Sequence, residues 1–314
     1  MTTRKFFTEL GINVTVLDQY MGRQRELQNE KSFPVTCNLY MVTRRPRMSI
    51  DPGSVGFHAG RMTGILRIQR QSQFDEVPFS VSTKDLGRGP FRYESEWPHE
   101  EYRVYDADGE VSGGIVALAA VEFGMILARR VPHEVLYVGQ AFGKAGERTA
   151  FDRLKSHSTL QRIYAECPPD KEIWLHLCRV SDITLFMEFN PQVPSRTTDE
   201  EDEQHRNRVL RRIHSVGFAE REAVAIGEAG LIRYFQPQYN EKFRNNYPDP
   251  KHVHISTCYD LDLATIAVEL QGQETRSFFY GPAVDKASPL HMFRFPLYET
   301  AGFIVDWHGG KPST

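Results

Sequence analysis

Three short stretches of this chain carry side chains that phosphodiester hydrolysis can use. Glu134-Val-Leu-Tyr-Val-Gly-Gln140 supplies Tyr137 and Gly139. Arg148-Thr-Ala-Phe-Asp-Arg-Leu-Lys-Ser-His157 supplies Arg153 and His157, which are neighbours on one helix face at i, i+4. Glu228-Ala-Gly-Leu-Ile-Arg-Tyr-Phe-Gln-Pro-Gln-Tyr-Asn240 supplies Glu228 and Asn240 on either side of Pro237. A tyrosine, an arginine, a histidine, a carboxylate and an asparagine together suit hydrolysis of a phosphodiester with one metal ion.

Each stretch has an element to hold it. Leu136-Tyr-Val-Gly139 reads as a short buried strand that stops at a glycine. Glu147 to about Glu166 reads as a helix stopped by Pro168-Pro169, with Arg153, His157, Leu160 and Tyr164 on one face. Between the strand and this helix, Gln140-Ala-Phe-Gly-Lys-Ala-Gly146 is no phosphate-cradling P-loop, because Ala145 follows Gly143-Lys144 where Ser or Thr is needed. Glu220 to Phe235 reads as a helix. On its wheel Val224, Ala225, Leu231, Ile232 and Phe235 surround Glu228. A carboxylate at the centre of an apolar face needs a cation, a metal or a proton. A metal ligand and a buried salt bridge to an arginine therefore stand side by side as readings of Glu228.

Elsewhere the pattern predicts a partly helical segment over residues 1–30, where Val14, Leu17, Tyr20, Met21 and Leu27 recur at roughly helical spacing. Strands are expected at Cys37–Thr43, Gly64–Gln69 and Ile173–Val180, with Arg44, Arg45 and Arg47 clustered in a loop after the first of these. Glu101–Tyr105 should enter a tight turn at Asp106-Ala-Asp-Gly109. The apolar run 114–127 leans to strand in its second half, against which the Tyr137 strand would pair antiparallel. Gln204 to Val216 reads as a helix, acidic before and basic within. His252 and His254 fall on one side of an expected strand, a weak metal signal, and a short helix is expected over Asp262–Gln271 with strands near Phe278 and Phe303.

Composition narrows the class. The chain has 314 residues, 40% hydrophobic and 25% charged, as expected of a globular protein. No window approaches the roughly 18 apolar residues of a membrane span. No secretory signal is visible, and four cysteines without paired spacing fit a reducing cytoplasm better than a disulfide framework or a zinc site. The net charge of −3 does not advertise nucleic-acid binding. Its distribution is uneven: residues 1–74 carry 11 Lys/Arg against 5 Asp/Glu, and residues 75–114 carry 4 against 10. That leaves room for a local phosphate-binding face.

Assembled, these residues resemble the GIY-YIG nuclease domain over roughly residues 115–243. Tyr137-Val-Gly139 looks like its second signature tripeptide, Arg153-Leu-Lys-Ser-His157 like its Arg-x-x-x-His helix, and Glu228 with Leu231-Ile232, Pro237 and Asn240 like its closing pattern. The first tripeptide belongs about ten residues before Tyr137; Gly124-Met-Ile126 has the position and the glycine but no tyrosine, and Tyr102 or Tyr105 would have to supply it. The resemblance implies an α+β fold, a small central antiparallel sheet flanked by helices, with β-rich N- and C-terminal extensions. The expected division is an N-terminal β-rich domain over 1–113, a nuclease domain over 114–244 with an insertion at 181–218, and a mixed extension over 245–314.

It also implies roles. Glu228 would hold Mg²⁺ or Mn²⁺. Tyr137 would orient or deprotonate the attacking water, Arg153 would bind the phosphate, and His157 would assist proton movement. Gly139, Lys144 and Arg148 would line the substrate, Arg148 as a rival to Arg153, and Asn240 would brace the site. The expected substrate is nucleic acid, DNA before RNA, cut by a cytoplasmic endonuclease in restriction, repair, mobile-element or anti-phage work. A homo-oligomer or an activating protein partner is compatible with this. The alternative is a nucleic-acid-binding module that kept the fold and lost catalysis.

Overall fold

The computed structural model describes residues 6, 8–24, 26, 37–140, 158–187, 197–215 and 220–298. The chain opens with one long strand, β1 (Thr8–Gly22), and continues through β2 (Leu39–Pro46) and a hairpin-rich excursion. That excursion holds β3 (Met48–Ile50), β4 (Gly56–His58), β5 (Arg61–Arg70), β6 (Gln73–Ser82), β7 (Arg92–Glu94), β8 (Glu101–Tyr105) and β9 (Glu110–Ile115). Helix α1 (Val116–Glu122) and a 3-10 turn, Ala128–Arg130, lead back into β10 (His133–Gln140). Then come α2 (Ser158–Ala165), β11 (Lys171–Met187), α3 (Asp199–Ser215), α4 (Glu220–Phe235) and α5 (Val253–Asp260). The described chain ends in β12 (Thr265–Gln271), β13 (Phe279–Gly281), β14 (Val284–Ser288) and β15 (Leu290–Pro296).

The described strands form one eight-stranded sheet in the order β14-β13-β10-β2-β11-β1-β12-β15, and two smaller sheets from the excursion. Most neighbours in the large sheet are antiparallel, but β1 with β12 and β10 with β13 run parallel. The sheet curls almost to closure. His291 at the start of β15 has Nε2 3.1 Å from the Phe279 carbonyl and 2.9 Å from the Ser288 carbonyl, which joins its two ends. The Tyr234 hydroxyl lies 3.1 Å from His291 Nδ1, so Nε2 is the nitrogen that carries the proton to the carbonyls.

Helix α4 fills the concave side. Its Val224, Ile226, Leu231, Ile232 and Phe235 are buried with Leu10, Ile12 and Val14 of β1, Leu39 and Met41 of β2, Val135 and Val138 of β10, and Ile266 and Val268 of β12. The opposite face of β10, β2 and β11 is covered by α2, whose Leu160 and Ile163 join Tyr40, Val42, Leu136, Ile173, Leu175 and Leu177.

The fold expected from the resemblance is overturned. The chain is 43% strand and 25% helix, and its centre is a large, nearly closed mixed sheet rather than a small antiparallel sheet flanked by helices. The large sheet takes strands from all three segments expected as domains. Several local readings fail for identifiable reasons. Residues 8–22 are one strand because Leu10, Ile12, Val14 and Val16 alternate and are all buried, a period of two that outranks the helical spacing read there. Residues 116–122 are helix, not strand, since Ala117, Ala119 and Ala120 favour helix and allow close burial. The Tyr137 strand therefore pairs with β2 and β13 instead. Residues 265–271 are strand, not helix: Ile266, Val268 and Leu270 alternate with Thr265, Ala267, Glu269 and Gln271, a period of two. His252 and His254 sit at the start of helix α5, not on a strand. The strand from Ile173, the helix over 220–235 and the turn between β8 and β9 stand where expected; the helix expected over 204–216 starts earlier, at Asp199, where Thr198 and Glu201 cap it and the acidic run is taken into its first turn, and Phe303 lies outside the described residues.

Candidate functional site

The site grows from a break in the alternation of β10. Its pairing register with β2 shifts between Val135 and Tyr137. Val135 and Val138 enter the α4 side, whereas Leu136 and Tyr137 both belong to the α2 side. A bulge is the device that lets consecutive residues share a face. Tyr137 is thereby turned toward β2, where Tyr40 stands opposite Gly139. The two rings lie 6.0 Å apart at 34°. Gly139 is the floor beneath them: a Cβ there would meet Tyr40 Cζ and Oη at 2.6 Å and Tyr137 Cε1 at 2.8 Å. Only the glycine's missing side chain permits the pair.

Asn240 ties the far end of α4 to this strand. Its Oδ1 accepts from the Val138 amide at 2.9 Å and its Nδ2 donates to the Val138 carbonyl at 2.8 Å. The residue so held lies between Tyr137 and Gly139. The Tyr239 amide adds a bond to the Leu136 carbonyl at 3.1 Å. Gln236, with φ +53°, ends the helix, and Pro237 prevents its continuation into this turn. The bond from Asn240 thus fixes where α4, and Glu228 upon it, sits along β10.

Glu228 itself is half-buried, while Ala223 to Gly227 and Ala229 to Ile232 around it are buried. The expected centre of an apolar face is corrected in one respect. The helix is buried round most of its circumference, and the carboxylate lies at the boundary rather than in the interior. Such a single hard oxygen donor fits Mg²⁺ or Mn²⁺, which need few protein ligands and keep several waters. Among the described residues no three His, Cys, Asp or Glu side chains gather where they could hold a metal.

Around the tyrosines the face is polar and paired. Tyr239 donates its hydroxyl to Glu166 at 2.7 Å, and Arg162 bonds the same carboxylate at 2.8 Å. Burial and the adjacent Glu166 push the Tyr239 phenol up to about 12, so it stays protonated and acts as a donor. Further along, Arg44 grips Glu134 through Nε at 2.8 Å and Nη2 at 3.1 Å, with Tyr280 at 3.3 Å from the same carboxylate.

Of the residues named from the sequence, Tyr137, Gly139 and Asn240 come together, while Glu228 is carried on α4, which packs on the other face of the sheet from Tyr40 and Tyr137 and is tied to β10 through Asn240. Lys144, Arg148, Arg153 and His157 lie outside the described residues. Helix α2, described over Ser158–Ala165, packs on the tyrosine face. Gly124-Met-Ile126 is a turn after α1, not a strand beside β10, and Tyr102 and Tyr105 belong to the separate β7-β8-β9 sheet. None of these supplies a tyrosine at Tyr137. Tyr40 does. Sequence reading missed it because about a hundred residues separate the two, although Asn38-Leu-Tyr40 opens the strand that was expected. Arg44, Arg45 and Arg47 are not a solvated loop: Arg44 and Arg45 are part of β2, and Arg45 is buried on its other face against Glu172 at 3.2 Å.

That other face holds a second polar cluster. Thr43 Oγ1 is 3.0 Å from both His133 Nδ1 and His176 Nε2, and Arg45 Nη1 is 3.3 Å from His133 Nε2. An arginine donates, so His133 accepts at Nε2 and carries its proton on Nδ1. A metal bound at Nδ1 would force a proton onto Nε2, facing the guanidinium, so the pair is unsuited to one. An open cleft of about 530 Å³ lies at the far end of β2, lined by Arg23, Arg47, Glu100, Lys171 and Glu172. Its arginines are already engaged, Arg23 with Glu26, Glu100 and Glu101 and Arg47 with Glu100. No family model, curated protein or solved structure matches this chain.

Proposed function

We propose that this protein is a metal-dependent endonuclease that hydrolyses nucleic-acid phosphodiester bonds, DNA before RNA. The observation that carries the reading is the pairing of Tyr40 with Tyr137 over Gly139, on the strand that Asn240 anchors to the Glu228 helix. In this reading the two phenols on adjacent strands, Tyr40 buried and Tyr137 half-buried, serve one water as donor and acceptor. A free phenol has a pKa near ~10, so deprotonating that water requires positive charge close by. Arg153 is proposed to provide it and to bind the phosphate, with His157 moving the proton. Glu228 would hold Mg²⁺ or Mn²⁺, which when bound polarises the phosphoryl oxygen and stabilises the leaving oxygen. Asn240 acts only by holding the strand and the helix in register.

The test is cleavage of supercoiled plasmid, single-stranded DNA and RNA with Mg²⁺, Mn²⁺ or EDTA. Wild type is compared with Glu228→Ala, Tyr137→Phe and Tyr40→Phe. Metal-dependent cutting should vanish in Glu228→Ala. Each phenylalanine variant should lose roughly 10²–10⁴-fold in single-turnover rate, with its melting temperature unchanged. Cutting by Glu228→Ala at the wild-type rate would exclude the mechanism.

A further inference from the structure

The turn that follows α1 is rigid and yet shows solvent the side chains that folding usually hides. Gly124, with φ +70°, ends the helix. Backbone bonds run from Phe123 to Ala119, Gly124 to Val121 and Ile126 to Ala120, and Met125 and Ile126 are buried beneath. From outside, Arg276 Nη1 donates to the Val121 carbonyl at 3.1 Å and the Glu122 carbonyl at 2.9 Å. On this fixed frame Phe123 is 48% exposed and Leu127 59%. Beside them Arg129 and Arg130 are exposed. Neither forms an ion pair with a described residue. Arg70 joins from β5, its Nη2 3.4 Å from the Arg130 carbonyl and its Nε paired with Asp75 at 3.1 Å. Glu122 is the carboxylate within the turn itself.

We propose that this turn is a second contact for the nucleic acid, with Arg129 and Arg130 on backbone phosphates and Phe123 and Leu127 against a base or sugar. The inference rests on the nuclease reading and names what grips the substrate away from the cut. Charge decides the occupant: cations without carboxylate partners beside exposed apolar groups match phosphates alternating with base faces. Connectivity agrees. Strand β10, which carries Tyr137, begins at His133, three residues after Arg130. At about 3.3 Å per residue, the turn stands on the order of 20 Å along the chain from the tyrosines, about six base pairs of duplex at 3.4 Å each.

The test is binding of the full chain to a fluorescent duplex of about 20 base pairs in EDTA across a salt series. Wild type is compared with Arg129→Ala/Arg130→Ala, the matching double lysine variant and Phe123→Ala. The double alanine variant should lower the slope of log K against log salt by about 1.8, which is 0.9 for each phosphate that an arginine no longer neutralises. The lysine variant should keep the wild-type slope. Phe123→Ala should bind a fluorescent single strand of the same length, whose base faces are open, roughly 5-fold or more weakly. An unchanged slope and affinity in the double alanine variant, with wild type binding, would overturn the turn's role and leave the nuclease reading standing. Wild type that neither binds in EDTA nor cuts when Mg²⁺ or Mn²⁺ is supplied would overturn both. An equal loss of binding to an acidic protein, with duplex affinity intact, would reassign the turn to protein docking and overturn the inference.

Discussion

Asn240 is the residue on which the site's geometry most depends. Replacing it with alanine strands the Val138 amide and carbonyl, both now satisfied by one carboxamide. Each orphaned buried group costs about 1–3 kcal/mol. Asn240→Ala should therefore lose roughly 2–5 kcal/mol in urea unfolding. Asn240→Asp should lose a comparable amount, because a carboxylate cannot donate to the carbonyl. A loss below about 0.5 kcal/mol, the level of an ordinary surface substitution, would show that the bond does not hold the strand. Part of this is legible in the sequence, namely Tyr137 and the spacing of Asn240 from Glu228. The partner of Asn240 is not, because a side chain bonding a backbone group a hundred residues away leaves no trace in local spacing.

At the scale of elements, α4 owes its place to two glycines with different neighbours. At Gly227 a Cβ would meet Ile12, Val14 and Leu39 at 3.5 Å, ordinary contact. At Gly230 it would meet Val268 Cγ2 at 2.8 Å and Phe295 at 3.3 Å. Alanine favours helix over glycine by about 1 kcal/mol. Gly227→Ala should thus be neutral or stabilising by up to about 1 kcal/mol, whereas Gly230→Ala should destabilise by roughly 1–3 kcal/mol through overpacking against β12. Thermal melting of the pair decides it: equal shifts in the same direction would mean that β12 and β15 yield to the extra methyl. The helix is readable from its apolar residues. That it is enclosed by a curved sheet is not, since wheel analysis assumes one buried face.

Across the whole molecule, the curled sheet buries histidines that must stay neutral. His176 is pushed down to about 3 by burial and by Arg45. His133 lies well below its usual range through burial, His176 and Arg45. Unfolded histidine titrates near ~6.5. Between that value and about 3 the unfolded chain binds more protons than the folded one, so stability is whole above the unfolded pKa and drains away as pH falls. Glu172, raised by burial and partly restored by Arg45, opposes this: its contribution is present at low pH and is lost as pH rises through its folded pKa. Two histidines act against this one carboxyl, so the net trend follows the histidines. The melting temperature should fall from pH 6.5 downward, as stability drops by at most about 1.4 kcal/mol per pH unit for each histidine. His176→Gln should flatten the curve, and a wild-type curve already flat in this interval would refute the assignment. By itself the sequence determined the helix at 220–235, the body of the helix from Gln204, the strand from Ile173, the turn after Tyr105, and a set of side chains fit for phosphodiester chemistry. Those signals are local: periodicity, proline and glycine stops, and residue type. Only the tertiary structure decided that β1 and β12 are strands of one nearly closed sheet and that Tyr40 is the companion of Tyr137. Strand pairing joins residues far apart in the chain, and its register is set by burial on both faces of the sheet, which no local window contains.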